Sequence, residues 1–219
     1  MSPRDEIERL LAAEARAGLD EAASEAASRF AERAAAEGAA EVAYAILDTP
    51  VGATSIAATP RGLISVGLPN RSLDDFLTEL ATRISPRIVE APGKLDEARR
   101  ELDEYFHGAR EAFDLPLDWR LVPGGFYRKV LRATSHLPYG ATLSYGDIAE
   151  RAGNRRAHRA AGTALGTNPI PIVVPCHRIV RSAGSPGNYG GGPELKRWLL
   201  TLEGALPAEG NGEDAPVSG

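Results

Sequence analysis

The 219 residues contain a single cysteine, Cys176. With no second thiol there can be no intrachain disulfide, and there are too few sulfur ligands for a cysteine-based zinc site. The fold must therefore rest on apolar burial and hydrogen bonding. At 43% hydrophobic and 25% charged, the chain has the profile of a soluble globular protein of one large or two small domains. No apolar run reaches the roughly 18 residues a membrane span needs. The first residues carry Asp5, Glu6 and Glu8 and no continuous apolar core, so they do not read as a secretory leader. A free thiol in such a chain fits a reducing cytoplasm.

The net charge of −5 is unevenly spread. Residues 120–204 hold 12 Lys and Arg against four acids, whereas the rest of the chain holds 13 basic and 26 acidic residues. A basic segment on an acidic body suits a polyanionic partner, and it is equally compatible with chance clustering on a solvated surface.

Four segments follow from local pattern. Residues 1–40 are rich in Ala, Glu and Arg and predict a helical extension. Residues 41–118 predict a small α/β domain. In it, short β-rich runs at Val42–Leu47, Thr54–Ala58 and Leu63–Leu68 are separated by Pro and Gly turns and form an antiparallel meander. Helices at Leu73–Ile84 and Leu95–Phe106 and an extended crossing at Leu115–Leu117 complete it. Residues 119–204 predict a mainly α-helical domain. Its helices are Gly125–Leu137, Tyr145–Ala152 with Ser144 as N-cap, Arg155–Leu165 after the turn Gly153-Asn154, and Glu194–Leu202. The middle pair reads as a helix-turn-helix, or equally as two tightly packed helices. Ile170–Val174 predicts a short buried strand that delivers Cys176. Residues 205–219 predict a disordered tail.

Cys176 sits in Pro175-Cys176-His177-Arg178. A free cysteine is commonly an inert small hydrophobe. Cationic neighbours argue instead for a lowered pKa and a nucleophile, because a thiol near pKa ~8.5 is only a few per cent ionised at neutral pH. His177 is adjacent in sequence, and in an extended segment it would point away from the sulfur. It then needs a water relay or a turn to act as base, and Glu203 is a candidate carboxylate to orient it. His107, His136 and His158 read as surface residues. Arg155, Arg156 and Arg159 make the second helix of the pair basic, which favours a nucleic-acid backbone. The loop Gly184–Gly192 lacks the Gly-Lys-Ser/Thr ending of a phosphate loop. It allows close approach to a flat ligand with Tyr189 as a wall, or is simply a flexible surface loop.

Several segments together resemble the O6-alkylguanine-DNA alkyltransferase family: Leu143–Ala149, Ala152–Asn154 through Arg159-Ala160, Gly166–Pro169, Pro175–Val180 and Gly187–Gly192. The resemblance is close over 124–204 and looser over 41–118. It implies a ribonuclease-H-like α/β domain, a winged-helix-like helix-turn-helix, and double-stranded DNA carrying O6-alkylguanine as partner, with O4-alkylthymine as a further candidate lesion. It also implies that the base is flipped out and that its alkyl group moves irreversibly to Cys176, once per molecule and without a cofactor. By the same resemblance His177 and Glu203 form a relay through water, and Tyr145 hydrogen-bonds the base. Arg159 fills the gap in the stack, with Arg156 and Ala160 on the same DNA-facing surface. Asn168 braces the link to the cysteine segment, backbone groups at Cys176, Ile179, Tyr189 and Gly190 read the base edge, and Arg178 contacts the base or DNA. Some members bind zinc through several Cys and His ligands, and no metal is expected here. The extension and the tail lie outside the family pattern, and nothing in the sequence implies an oligomeric state. Two rivals stand beside this reading. One is a non-catalytic alkyltransferase-like lesion binder or DNA-binding regulator, whose alkyltransferase-like members lack the cysteine. The other is a thiol hydrolase, for which the usual His and Asn/Asp context is missing.

Overall fold

The structure is a computed structural model. It describes residues 38–181 and 185–207, together with isolated positions between Glu6 and Arg33 that are helical and exposed. The remainder of the expected N-terminal extension, residues 182–184 at and just before the start of the glycine-rich loop, and the tail from 208 lie outside the described residues. No described helix is long and apolar enough to cross a membrane.

The β-rich runs form the expected meander: β1 (Val42–Thr49), β2 (Gly52–Thr59) and β3 (Gly62–Gly67), each antiparallel to the next. The helix α1 (Leu73–Arg83) starts at Ser72, whose hydroxyl accepts from the Asp75 N–H at 3.1 Å. A strand not foreseen from sequence, β4 (Ile88–Glu90), returns alongside β1 in parallel, giving the order β3-β2-β1-β4. At three residues it is too short for a period-2 pattern to register. A 3-10 turn at Pro92–Leu95 leads into α2 (Asp96–Phe106).

Alternation along β1 divides the core. Val42 and Tyr44 face α1, where Phe76, Leu80, Ile64 and Leu121 close a small cluster. Ala45 and Leu47 face the opposite side, where Leu102, Tyr105 and Phe106 of α2 join Val130, Ile148, Ile172 and Leu199 in one continuous core. The C-terminal helices are thus packed into the same apolar interior as the sheet.

The expected crossing at Leu115–Leu117 lies along β3. The Leu63 N–H donates to Pro116 O at 2.8 Å, the Asp118 N–H donates to Leu63 O at 2.8 Å, and Leu63 and Leu117 form a parallel bridge. Asp118 is buried and accepts from the Thr59 hydroxyl at 2.6 Å and from Arg120 Nη2 at 2.6 Å. This connection admits only glycine at position 62, where φ is +125° and an added Cβ would lie 2.0 Å from Pro116 O.

The C-terminal elements are α3 (Phe126–Ser135), β5 (Leu143–Ser144), α4 (Tyr145–Arg151), α5 (His158–Gly166), β6 (Ile179–Val180) and α6 (Gly192–Leu202). Ser144 and Asp147 make a reciprocal capping box at the start of α4. The helix expected at Arg155–Leu165 begins with a 3-10 turn, Arg155–Ala157, because the Asn154 side chain caps the Arg156 N–H at 3.1 Å. The short strands β5 and β6, also unforeseen, pair in parallel and tie the start of α4 to the chain just after Arg178.

The buried strand expected at Ile170–Val174 does not form. Pro169, Pro171 and Pro175 remove three donors from seven residues, so the segment cannot join a ladder. It folds instead into a tight turn in which the Val174 N–H donates to Ile170 O at 2.8 Å. Ile172 takes a left-handed conformation, φ +74°, that a β-branched residue adopts only when its surroundings impose it. The apolar character read as a strand reflects burial: Ile170, Ile172 and Val174 are fully enclosed.

Gly62→Ala should force the 115–118 crossing off β3. Loss of at least about 2 kcal/mol in urea unfolding is expected, and a variant within about 0.5 kcal/mol of the parent would contradict the packing described.

Candidate active site

The turn at Ile170–Val174 ends at Pro175, and Cys176–Arg178 forms one 3-10 turn, with the Arg178 N–H donating to Pro175 O at 3.0 Å. Cys176 is therefore not in extended backbone, and the opposite-face expectation for His177 no longer applies. Cys176 is 7% exposed and lines a cavity of about 760 Å³. Tyr145 and Gly146 of α4, Gly162 and Leu165 of α5, and Asn188, Tyr189 and Gly190 of the glycine-rich loop also line it. Of the residues expected at the site, the cavity brings together Cys176, Tyr145, Tyr189 and Gly190. In the loop, Gly187 has φ +71°, and an added Cβ would meet Tyr145 Oη at 3.2 Å.

Asn168 follows α5 and braces the cysteine segment as expected. Its Nδ2 donates to Val174 O at 2.8 Å and its Oδ1 accepts from the Ile170 N–H at 3.1 Å. Nδ2 also donates to Cys176 Sγ at 3.1 Å, a contact not foreseen from sequence.

Behind the sulfur lies a buried polar cluster. His177 Nε2 is 2.8 Å from Glu203 Oε1. Glu203 also accepts from Tyr105 Oη at 2.7 Å, from Arg178 Nε at 2.8 Å and Nη2 at 2.9 Å, and from the Gly140 N–H at 3.2 Å. Arg178 Nη1 donates to Leu137 O. His177, Arg178 and Glu203 are all buried.

The donors around Glu203 outweigh its burial and hold its carboxyl at about 2. Burial, opposed by Glu203, keeps His177 below its ordinary value. A neutral imidazole beside an ionised carboxylate donates through Nε2–H, which leaves Nδ1 as acceptor. Nδ1 is buried and has no protein partner. Cys176 is pushed up by burial and pulled back by the Asn168 amide, by Lys196 and by the backbone N–H groups of Cys176 and His177.

Three expectations are corrected here. Arg178, expected at the DNA, is buried with its guanidinium engaged by Glu203 and Leu137, so it does not face the cavity. His177 and Arg178, expected as the cations acting on the thiol, do not act in that way. His177 is neutral and Arg178 is paired, so the cation acting on the sulfur is Lys196. Its ammonium is fully buried, donates to Ile179 O at 2.5 Å and lies 6.0 Å above the Tyr145 ring. Burial brings it down to about 8. Lys196 was legible in principle: it shares a helical face with Leu199, Leu200 and Glu203, where a lysine on an apolar stripe is unusual. Ile179 is likewise fully buried; its carbonyl accepts from Lys196 and its N–H donates to Cys176 O, so it does not line the cavity.

Arg156 and Arg159 are exposed and Ala160 half-exposed, all outside the cavity lining on the 3-10 turn and α5. Arg155 and His158 of the same stretch reach the cavity. His107, His136 and His158 are exposed, as expected.

Residues 42–119 match the family model described as 6-O-methylguanine DNA methyltransferase, ribonuclease-like domain, and residues 125–205 match its DNA binding domain. A methylated-DNA–protein-cysteine methyltransferase of Mycolicibacterium paratuberculosis is 38% identical, the match covering 74% of this chain and 92% of the relative. One of Rattus norvegicus is 36% identical, covering 74% and 81%. The crystal structure of Mycobacterium tuberculosis O6-methylguanine methyltransferase superposes with a TM-score of 0.65 at 36% identity, covering 77% of this chain and 96% of that one. The same organism's protein in complex with DNA gives 0.64 at 35% identity, covering 76% and 96%.

The buried cluster fixes an acid dependence of stability. Glu203 is held below its ordinary 4.5, so its contribution is complete above about 4.5 and is lost as pH falls towards 2. His177 is held below 6.5, so the unfolded chain takes up its proton first and stability begins to fall below that pH. The thermal midpoint should decline from pH 7 to 5 and again from 4.5 to 2.5. A midpoint constant between pH 7 and 4 would contradict the assignment.

Proposed function

Because this chain belongs to the 6-O-methylguanine DNA methyltransferase family, we propose that Cys176 is the acceptor to which an alkyl group is transferred from O6-alkylguanine in duplex DNA. The observation that carries the reading is the sulfur itself. It lines a cavity walled by two tyrosines, it is hydrogen-bonded by Asn168, and the His177–Glu203 pair lies at its back.

In this reading α5 lies in the minor groove, and the exposed guanidinium of Arg159 occupies the gap left by the extruded base. Extrusion costs a few kcal/mol, less for a damaged base. The face of the Tyr189 ring and the hydroxyl of Tyr145 then bound the purine.

The resting thiol is protonated, since burial raises it. His177 Nδ1 is a buried acceptor without a protein partner, and such groups commonly meet a water. The thiol proton passes through that water to Nδ1, and Glu203 stabilises the imidazolium through Nε2–H. Lys196 and the Asn168 amide stabilise the thiolate. The sulfur attacks the alkyl carbon in line, an S–C bond forms, and the C–O6 bond breaks with its electron pair on guanine. Tyr145 hydrogen-bonds the departing purine, which regains its proton from the relay. The thioether has no neighbour able to cleave it, so each molecule reacts once. O4-alkylthymine presents the same alkyl–oxygen bond on a smaller base and is a second candidate lesion. The non-catalytic lesion-binding alternative requires no nucleophile, and a cysteine hydrogen-bonded by an amide and under the charge of a buried lysine argues against it.

Intact mass after incubation with duplex DNA carrying O6-methylguanine should show one methyl adduct per molecule, absent in Cys176→Ala. Binding without adduct would sink the transfer reading and favour lesion binding. Conversion of many equivalents would contradict the single-use mechanism. Arg159→Ala should slow transfer at least about tenfold while the protein still folds, as expected if extrusion loses its stand-in for the base.

A further inference from the structure

Glu203 and His177 both belong to the C-terminal helical unit, yet the shortest hydrogen bond to Glu203 comes from the other one. Tyr105 lies in the last turn of α2, which packs on the sheet, and its hydroxyl donates to Glu203 Oε1 at 2.7 Å. The same oxygen is 2.8 Å from His177 Nε2, and the Tyr105 hydroxyl is itself 3.5 Å from that nitrogen. With Arg178 Nη2 at 2.9 Å, three donor atoms thus meet at one carboxylate oxygen, all from buried residues.

The ring that carries this hydroxyl has little freedom. It lies 5.3 Å from the Phe113 ring and 6.2 Å from Tyr139 in an edge-on arrangement. Tyr139 is fixed in turn by its hydroxyl, which donates to Leu202 O at 2.9 Å. Tyrosine is not needed to fill this volume, since phenylalanine would pack as well. The hydroxyl is the added feature, and the acceptor it reaches is the oxygen that orients the imidazole.

We propose that Tyr105 is a positioning residue for alkyl transfer, through which the α/β unit holds Glu203 Oε1 on His177 Nε2 and so keeps Nδ1 free to accept the proton of Cys176. The inference rests on the transfer reading for its rate consequence, and on geometry alone for its effect on the imidazole. Arg178 grips Glu203 through both oxygens, Nε on Oε2 and Nη2 on Oε1, and so sets the plane of the carboxylate. Tyr105 adds a second side-chain donor to Oε1 from the side of the histidine, 3.5 Å from Nε2, and so holds that oxygen against the imidazole. Gly140 N–H on Oε2 completes the set.

The test compares the full-length protein with Tyr105→Phe and, as a packing control, Phe113→Leu. Nitrogen-15 NMR of labelled histidine, without DNA, should show His177 as a single Nε2–H tautomer in the parent and in Phe113→Leu. In Tyr105→Phe it should show exchange between tautomers. Single-turnover methyl transfer should fall about tenfold in Tyr105→Phe, with duplex affinity unchanged, and by less than about twofold in Phe113→Leu. An unchanged tautomer in Tyr105→Phe would overturn the proposal. So would slowed transfer accompanied only by weaker folding or DNA binding. Should Tyr105→Phe not fold, fluorotyrosine placed at 105 keeps the packing and strengthens the donor; unmoved His177 resonances would then overturn it. A parent protein that forms no adduct would refute the transfer reading and leave the tautomer result to decide this one.

Discussion

The carboxylate of Glu203 is the point on which the molecule depends. It sits just past the last turn of α6, buried, and is met by a histidine, an arginine, a tyrosine and a backbone amide. Removing one partner from a buried ion pair typically costs about 3–5 kcal/mol, because the other charge is left uncompensated. Here that carboxylate joins α6, the Cys176–Arg178 turn, the loop at Gly140 and α2. The tertiary arrangement and the protonation state of the imidazole are therefore set by the same few contacts.

The environment of the sulfur follows a related logic. Burial disfavours a thiolate, and the groups that oppose it are an amide from one segment and an ammonium from another, each fixed by bonds of its own. The thiol is consequently protonated at rest and surrounded by groups that favour the anion once the proton has somewhere to go. Such surroundings shield a thiol from adventitious oxidation and alkylation, since reactivity follows thiolate fraction and access.

Much of this was legible in the sequence where local rules suffice. The meander, the helices and the Ser144 cap follow from periodicity and punctuation, and the Pro-Cys-His-Arg segment announces its own chemistry. The strand expected at Ile170–Val174 failed because burial and β-propensity look alike over five residues, and three prolines outvoted both. Arg178 was misplaced because a basic residue beside a reactive thiol reads as outward-facing until its partner, 25 positions on, is known. Tyr105 carried no signal at all. Its helix has an ordinary apolar stripe, and its acceptor lies 98 residues away, a pairing that only the packing of one unit on the other creates.

The shared ownership of Glu203 also limits how such a protein can change over time. Any single substitution at Arg178, His177 or Glu203 strands a charge or an acceptor in the interior, so it costs stability and resets the protonation of its neighbours together. Lineages can escape only through paired changes, or by first gaining enough stability elsewhere to survive the intermediate. Drift should accordingly concentrate on the solvated faces of α1 and α2, while the few residues around one carboxylate move as a block.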